Sequence, residues 1–165
     1  VTRWPRHAVL VLLSLLVAGC GALGPTGVAD GGDAPAGVAT GAPLYFLDSA
    51  GALRASPRAT GRLGDIRGAV ELLMTGPSPI ERDAGLRTEI PRQEVLRSVV
   101  YRRERDIVVI LPFASRELPA KGADQVVCTA LAVHLLSGGG VRDTHVILGF
   151  TDGESEPRSC PVLPG

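Results

Sequence analysis

From residue 43 onward, short apolar runs alternate with turn residues, and their spacing predicts most of the elements. Leu44 to Leu47 are four consecutive apolar residues, followed by Asp48-Ser49-Ala50-Gly51 and a weaker strand to about Ser56. Asp at the start and Gly at the end of that quartet suit a tight turn, so the segment reads as a β-hairpin. Ile66, Ala69, Val70 and Leu73 recur at i, i+3, i+4 and i+7, which predicts a helix capped by Asp65 and ended by Gly76-Pro77. Ser78, Pro79 and Gly85 frame a second, short helical turn. Val95–Tyr101 and Ile107–Leu111 read as two strands around a polar turn at 102–106. A helix of about 15 residues follows, starting near Ala123-Asp124 and stopped by Gly138. It is apolar nearly all round, which marks the most buried helix of the domain. "THVILGF" is a final strand, and "TDGESEPRSCPVLPG" an irregular tail. Hairpins interleaved with two principal helices, without regular βαβ alternation, predict a single small α+β domain with a mixed or antiparallel sheet.

The N-terminal pattern is of another kind. Arg3 and Arg6 precede "AVLVLLSLLVAG", an apolar run of 12 residues. A bilayer core needs about 20 apolar residues in a helix, so this run is too short to span. A basic start, a short apolar core and small residues at its end are the pattern of a secretory signal, expected here over residues 1–19. The quartet Val17-Ala18-Gly19-Cys20 resembles the bacterial lipobox, in which cleavage falls before a cysteine that carries diacylglycerol. That resemblance implies an exported lipoprotein, attached through Cys20 to the outer face of the cytoplasmic membrane. Residues 20–42 hold seven glycines and two prolines and no aromatic residue. Such a stretch cannot bury enough apolar surface to offset its chain entropy, so it is expected to be a flexible tether with a reach of about 25 Å.

Charge narrows the range of partners. Removing residues 1–19 takes away Arg3 and Arg6 and no acid, so 17 basic and 17 acidic residues become 15 and 17. A net charge near −2 is no footprint for nucleic acid. Residues 43–165 suffice for one domain with its own core.

Leu72-Leu73 followed by Gly76-Pro77, Glu81, Gly85-Leu86 and Ile90-Pro91, with "LYFLDSAGAL" before and "DIVVILP" and "DQVVCTAL" after, resembles the GerMN domain. This domain is named for a spore-germination and sporulation protein and occurs in exported bacterial lipoproteins. The resemblance runs from about residue 43 to 150. It implies a compact α+β fold and a role in cell-envelope assemblies. The chain departs from the family where "RRERD" replaces the usual Gly-containing turn of the second hairpin.

Candidate chemistry is sparse. His134 lies in the apolar helix between Leu131 and Leu135 and reads as a satisfied, partly buried residue. His145 begins a strand next to Asp143, a pairing that would suit a base but has no nucleophile motif beside it. Cys128 and His134 are six apart on a helix and face about 120° away from each other, which does not suit a thiol–imidazole pair. "SGGGVRD" lacks the Lys-Ser/Thr of a phosphate loop and follows a helix instead of preceding one, so it reads as a helix stop. Asp152, Glu154 and Glu156 alternate like part of a calcium loop without its full ligand set. No catalytic residue, cofactor site, metal site or small-molecule substrate is therefore assigned. "YRRERD" is expected to be a soluble hairpin tip, or a patch for an acidic partner.

With Cys20 taken by lipid, Cys128 and Cys160 remain, an even count in an oxidising compartment. A disulfide between them is expected, pinning a tail that has little apolar content. The leading functional expectation is a non-enzymatic, lipid-anchored protein-interaction or assembly module with an envelope protein as partner. The alternative is a cell-wall-associated enzyme with an unrecognised active site.

Overall fold

The computed structural model describes residues 41–60, 65–140 and 142–163. The expected signal peptide, Cys20 and all but the end of the tether lie outside the described residues.

The domain is α+β, built on two sheets. β1 (Gly41–Leu47) and β2 (Leu53–Ala59) form an antiparallel hairpin, in register from Leu47↔Leu53 to Gly41↔Ala59. Asp48 closes the turn, its Oδ1 accepting from the N–H groups of Ala50 and Ala52 at 3.0 and 2.9 Å. Two prolines face each other in this ladder, Pro43 and Pro57, yet neither interrupts it. Tyr45 and Leu47 direct their N–H groups away from β2, towards Thr129 Oγ1 and the Arg87 carbonyl. By the two-residue period of a strand Pro43 points the same way, so its missing donor costs the ladder nothing. The strand therefore begins at Gly41, and Gly41 and Ala42 are buried in it.

α1 (Ile66–Met74) starts where Asp65 Oδ1 accepts from the Gly68 N–H at 2.6 Å, and buries Ala69, Val70, Leu73 and Met74. α2 (Pro79–Asp83) carries a capping box. Ser78 Oγ accepts from the Glu81 N–H, and Glu81 returns the bond to the Ser78 N–H at 2.6 Å. Glu81 also accepts from Ser56 Oγ at 2.6 Å and pairs with Arg58, so the same carboxylate pins α2 to β2. Gly76 and Gly85 end the two helices at φ +82° and +83°, a region that a side chain disfavours.

The second sheet is mixed. Its order is β3 (Val99–Arg103), β4 (Asp106–Ile110), β5 (Val146–Phe150), β6 (Gly153–Glu154). β3 pairs with β4 as a hairpin, beginning four residues later than the apolar run suggests. Glu104 holds the turn at φ 55°. β4 and β5 are parallel, as their connection through α3 (Ala120–Leu136) requires. α3 begins three residues before Ala123, without a side-chain cap, behind Pro119.

α3 is the centre of the core and packs against β1, α1 and β5. Val126, Val127, Leu131 and Val133 are fully buried on it, against Leu44 and Phe46 of β1, Val70 and Leu73 of α1, and Val146 and Leu148 of β5. The tail is ordered further than its composition suggests. β6 pairs with β5, and Arg158 bridges Val146 through two main-chain hydrogen bonds of 2.9 Å. This course brings Cys160 under α3, where it is bonded to Cys128 with their Cα atoms 4.8 Å apart. Closing a loop of this length stabilises a fold by roughly 3–4 kcal/mol in the chain-entropy model.

Candidate functional site

The β3 edge of the second sheet leaves main-chain groups unmet among the described residues. In β4, the N–H groups of Ile107 and Leu111 donate to His145 and Gly149 on the β5 side, at 2.9 and 2.8 Å. By alternation Asp106, Val108 and Ile110 address β3, and their partners are Arg103, Tyr101 and Val99. Ser98, Val100 and Arg102 then turn their N–H and C=O groups outward. The Ser98 N–H is taken by Glu71 Oε1 of α1 at 3.2 Å. Val100 and Arg102 meet no main-chain partner on that side among the described residues.

A groove of about 500 Å³ lies along this edge, between the N-terminus of α1 and the C-terminus of α3. Five consecutive residues, Ser98 to Arg102, line it. Side chains that alternate between two faces can do this only if the groove follows the strand's edge. Its floor is apolar, from Ile66, Val100 and Ile107, and its rim carries Arg67, Arg102 and His134. Arg102 Nη1 sits 3.5 Å from both ring nitrogens of His134, so the guanidinium lies against the imidazole. A Cβ on Gly139 would stand 2.0 Å from His134 Cε1, and only glycine leaves the ring room there. Burial, and secondly the Arg102 charge, hold the His134 pKa below the usual histidine value, which keeps the ring neutral at pH 7. Neither Arg67 nor Arg102 has a carboxylate partner among the described residues.

The other sequence-marked residues fall elsewhere. His145 pairs with Asp106, Nδ1 to Oδ1 at 3.4 Å, and not with Asp143, which approaches Arg105 at 4.0 Å. The parallel pairing of β4 with β5 sets Asp106 beside His145, a neighbour that chain order hides. No serine, threonine or cysteine side chain hydrogen-bonds the ring of either His134 or His145 among the described residues. Cys128 is held in the disulfide. Residues 137–139 form a helix stop: the N–H groups of Gly138 and Gly139 donate to the carbonyls of Leu135 and His134, with Gly138 at φ +84°. Asp152 accepts from the N–H and Oγ of Ser115, and Glu154 takes a two-pronged bond from Arg103 at 2.8 Å on each oxygen. Among the described residues, no cluster of three or more His, Cys, Asp or Glu is placed to hold a metal ion, and no helix is long and apolar enough to cross a membrane. Of the "YRRERD" tip, Arg103 is committed to Glu154 while Arg102 faces the groove.

The groove itself was not legible in the sequence. Its residues come from four separated elements, and the apolar positions among them read as ordinary core positions of those elements. The chain matches no family model, no curated protein and no solved structure, so its own geometry carries the functional reading.

Proposed function

We propose that this domain is a non-enzymatic protein-interaction module of the cell envelope, held at the outer face of the cytoplasmic membrane by lipid on Cys20. The observation that carries the reading is the open edge of β3, which offers main-chain donors and acceptors beside an apolar groove. Exposed strand edges are ready templates for pairing with another chain. The resemblance to the GerMN domain points the same way, because its motif residues have structural work to do. Gly76 and Gly85 turn the chain at positive φ, Glu81 ties α2 to β2, and Ile90 is buried.

Two measurements test the proposal in the full chain in its own membrane. A photo-crosslinking amino acid at Val99, which is exposed beside the groove, is expected to give a discrete protein adduct. The same group at Ile80, exposed on α2 outside the groove, is expected to give none. Equal, diffuse labelling from both sites, or none from either, overturns the interaction reading. Mass spectrometry of the mature N-terminus is expected to find acylated Cys20; an unmodified Cys20 or cleavage elsewhere overturns the anchor.

A further inference from the structure

We propose that the groove takes an extended, acidic segment of a partner protein as an added strand beside β3, with a carboxylate of that segment held by Arg102 and Arg67. This rests on the interaction reading above and specifies its partner's chemistry.

The backbone sets the mode of binding. Val100 and Arg102 both point their N–H and C=O groups outward, two residues apart, which is the spacing at which an extended chain offers its own alternate groups. The opening is short. At its near end the Ser98 N–H is already met by Glu71, so an incoming strand has one register available, set against Val100 and Arg102. A strand edge restricted in this way admits a chosen segment without inviting indefinite sheet growth.

Side chains set the chemistry. An added strand places alternate residues over the floor of Ile66, Val100 and Ile107, which suits one aliphatic side chain. Two residues along, the next side chain on that face arrives beside Arg102. The acids nearest the groove are committed: Asp65 caps α1 and Glu71 holds Ser98. The cations are not, for Arg67 and Arg102 have no carboxylate partner among the described residues. His134 is neutral and adds no charge, but its ring fixes the plane of the Arg102 guanidinium. A guanidinium held in place presents a ready fork to a carboxylate. The fitting segment therefore carries Asp or Glu two positions from an aliphatic residue, after it in a strand parallel to β3 and before it in an antiparallel one. A second copy of this chain offering its own β3 would bring its Arg102 to a rim that is already cationic, so charge disfavours it.

The test uses the full chain in detergent micelles and a fluorescein-labelled decapeptide of alternating threonine and valine, with glutamate two positions after its central valine. Saturable binding is expected by fluorescence polarisation. Glutamine in place of glutamate is expected to weaken it about tenfold, and Arg102→Ala in the protein likewise, with no further loss when the two are combined. N-methylation of alternate peptide amides is expected to abolish binding, because it removes the ladder while leaving side chains intact. Arg102→Ala should melt within about a degree of the parent, since the residue is on the surface. Absence of saturable binding, equal affinity for the glutamate and glutamine peptides, or undiminished binding of the methylated peptide overturns the proposal. So does sedimentation showing a dimer that Arg102→Ala alters, which would give the edge to a second copy. A discrete adduct at Val99 without peptide binding leaves the interaction module standing and removes only this partner.

Discussion

In the first hairpin the outward groups of β1 are met by the protein itself. The Tyr45 N–H donates to Thr129 Oγ1 at 3.0 Å, the Tyr45 carbonyl accepts from Gln125 Nε2 at 3.0 Å, and Leu47 exchanges two bonds with Arg87. In the second hairpin, among the described residues, the corresponding groups along the β3 edge meet one such partner, Glu71 at Ser98 just before the strand. The difference lies in what α3 presents. Gln125 and Thr129 are four apart, hence on one face of the helix, and both are fully buried against β1. Gln125 goes further, its Oε1 accepting from the Glu89 N–H at 2.9 Å, so one amide joins helix, strand and loop. At the other end of α3 the residue that reaches the second hairpin is His134, whose ring meets a side chain, Arg102, and leaves the backbone alone. A closed edge here is a structural joint, and an open one is a surface.

The sharpest way to break this comparison is to open the closed edge. Gln125→Leu keeps the volume but leaves the Tyr45 carbonyl unpaired in a buried site and the Glu89 N–H unpaired in a part-buried one. A loss of about 3–5 kcal/mol is expected in urea denaturation, since each buried unsatisfied group costs about 1–3 kcal/mol. A loss under about 1 kcal/mol would show that β1 does not depend on this seal.

Glu81 tests the first hairpin from its other side. Burial alone would raise its pKa, but hydrogen bonds from Ser56 and Ser78 and the charge of Arg58 outweigh that and hold it below the usual glutamate value. A depressed folded value means that the stabilisation is fully present above the unfolded pKa, about 4.3, and is lost as pH falls through the folded one. Glu81→Gln is expected to cost about 1–3 kcal/mol at pH 7 and to flatten the acid limb of stability below about pH 4.5. Denaturation midpoints measured at pH 7 and pH 3 check both; an unchanged acid limb would remove Glu81 from the account.

The smallest effect is the most direct reading of the comparison. Amide hydrogen exchange should show the Tyr45 N–H strongly protected and the Val100 and Arg102 N–H groups exchanging almost freely, although all three belong to hairpin strands. Equal protection at Tyr45 and Val100 would mean that the β3 edge is covered in solution.

Several elements were legible because their signals are local. Asp65, Ser78-Pro79, Gly76 and Gly85 fixed the ends of α1 and α2 through caps and turns that involve residues at most a few positions apart. The expected disulfide followed from counting cysteines against a compartment, and the bridge from Cys128 to Cys160 is present. Other elements escaped for equally physical reasons. Pro43 obscured the start of β1, because a missing donor matters only on the side of a strand that faces its ladder, and one chain does not show which side that is. β6 and the Arg158 bridge lie in a stretch whose sequence reads as irregular tail, since two- and one-residue pairings have no period to detect. Chain order sets His145 near Asp143, whereas Asp106 lies beside it across a parallel ladder.

By itself the sequence determined where the chain turns, which helix faces are apolar, and that the domain is α+β, because these depend on propensities and periods acting over a few residues. Only the tertiary structure decided that Gln125 and Thr129 seal one strand while Val100 and Arg102 stay open on another. The two strands look alike in sequence, short apolar runs before polar turns. Whether the main-chain groups of a strand are met depends on what is packed alongside, and that comes from Arg87, Gln125 and Thr129, far along the chain from β1, and from Glu71 at Ser98 just before β3.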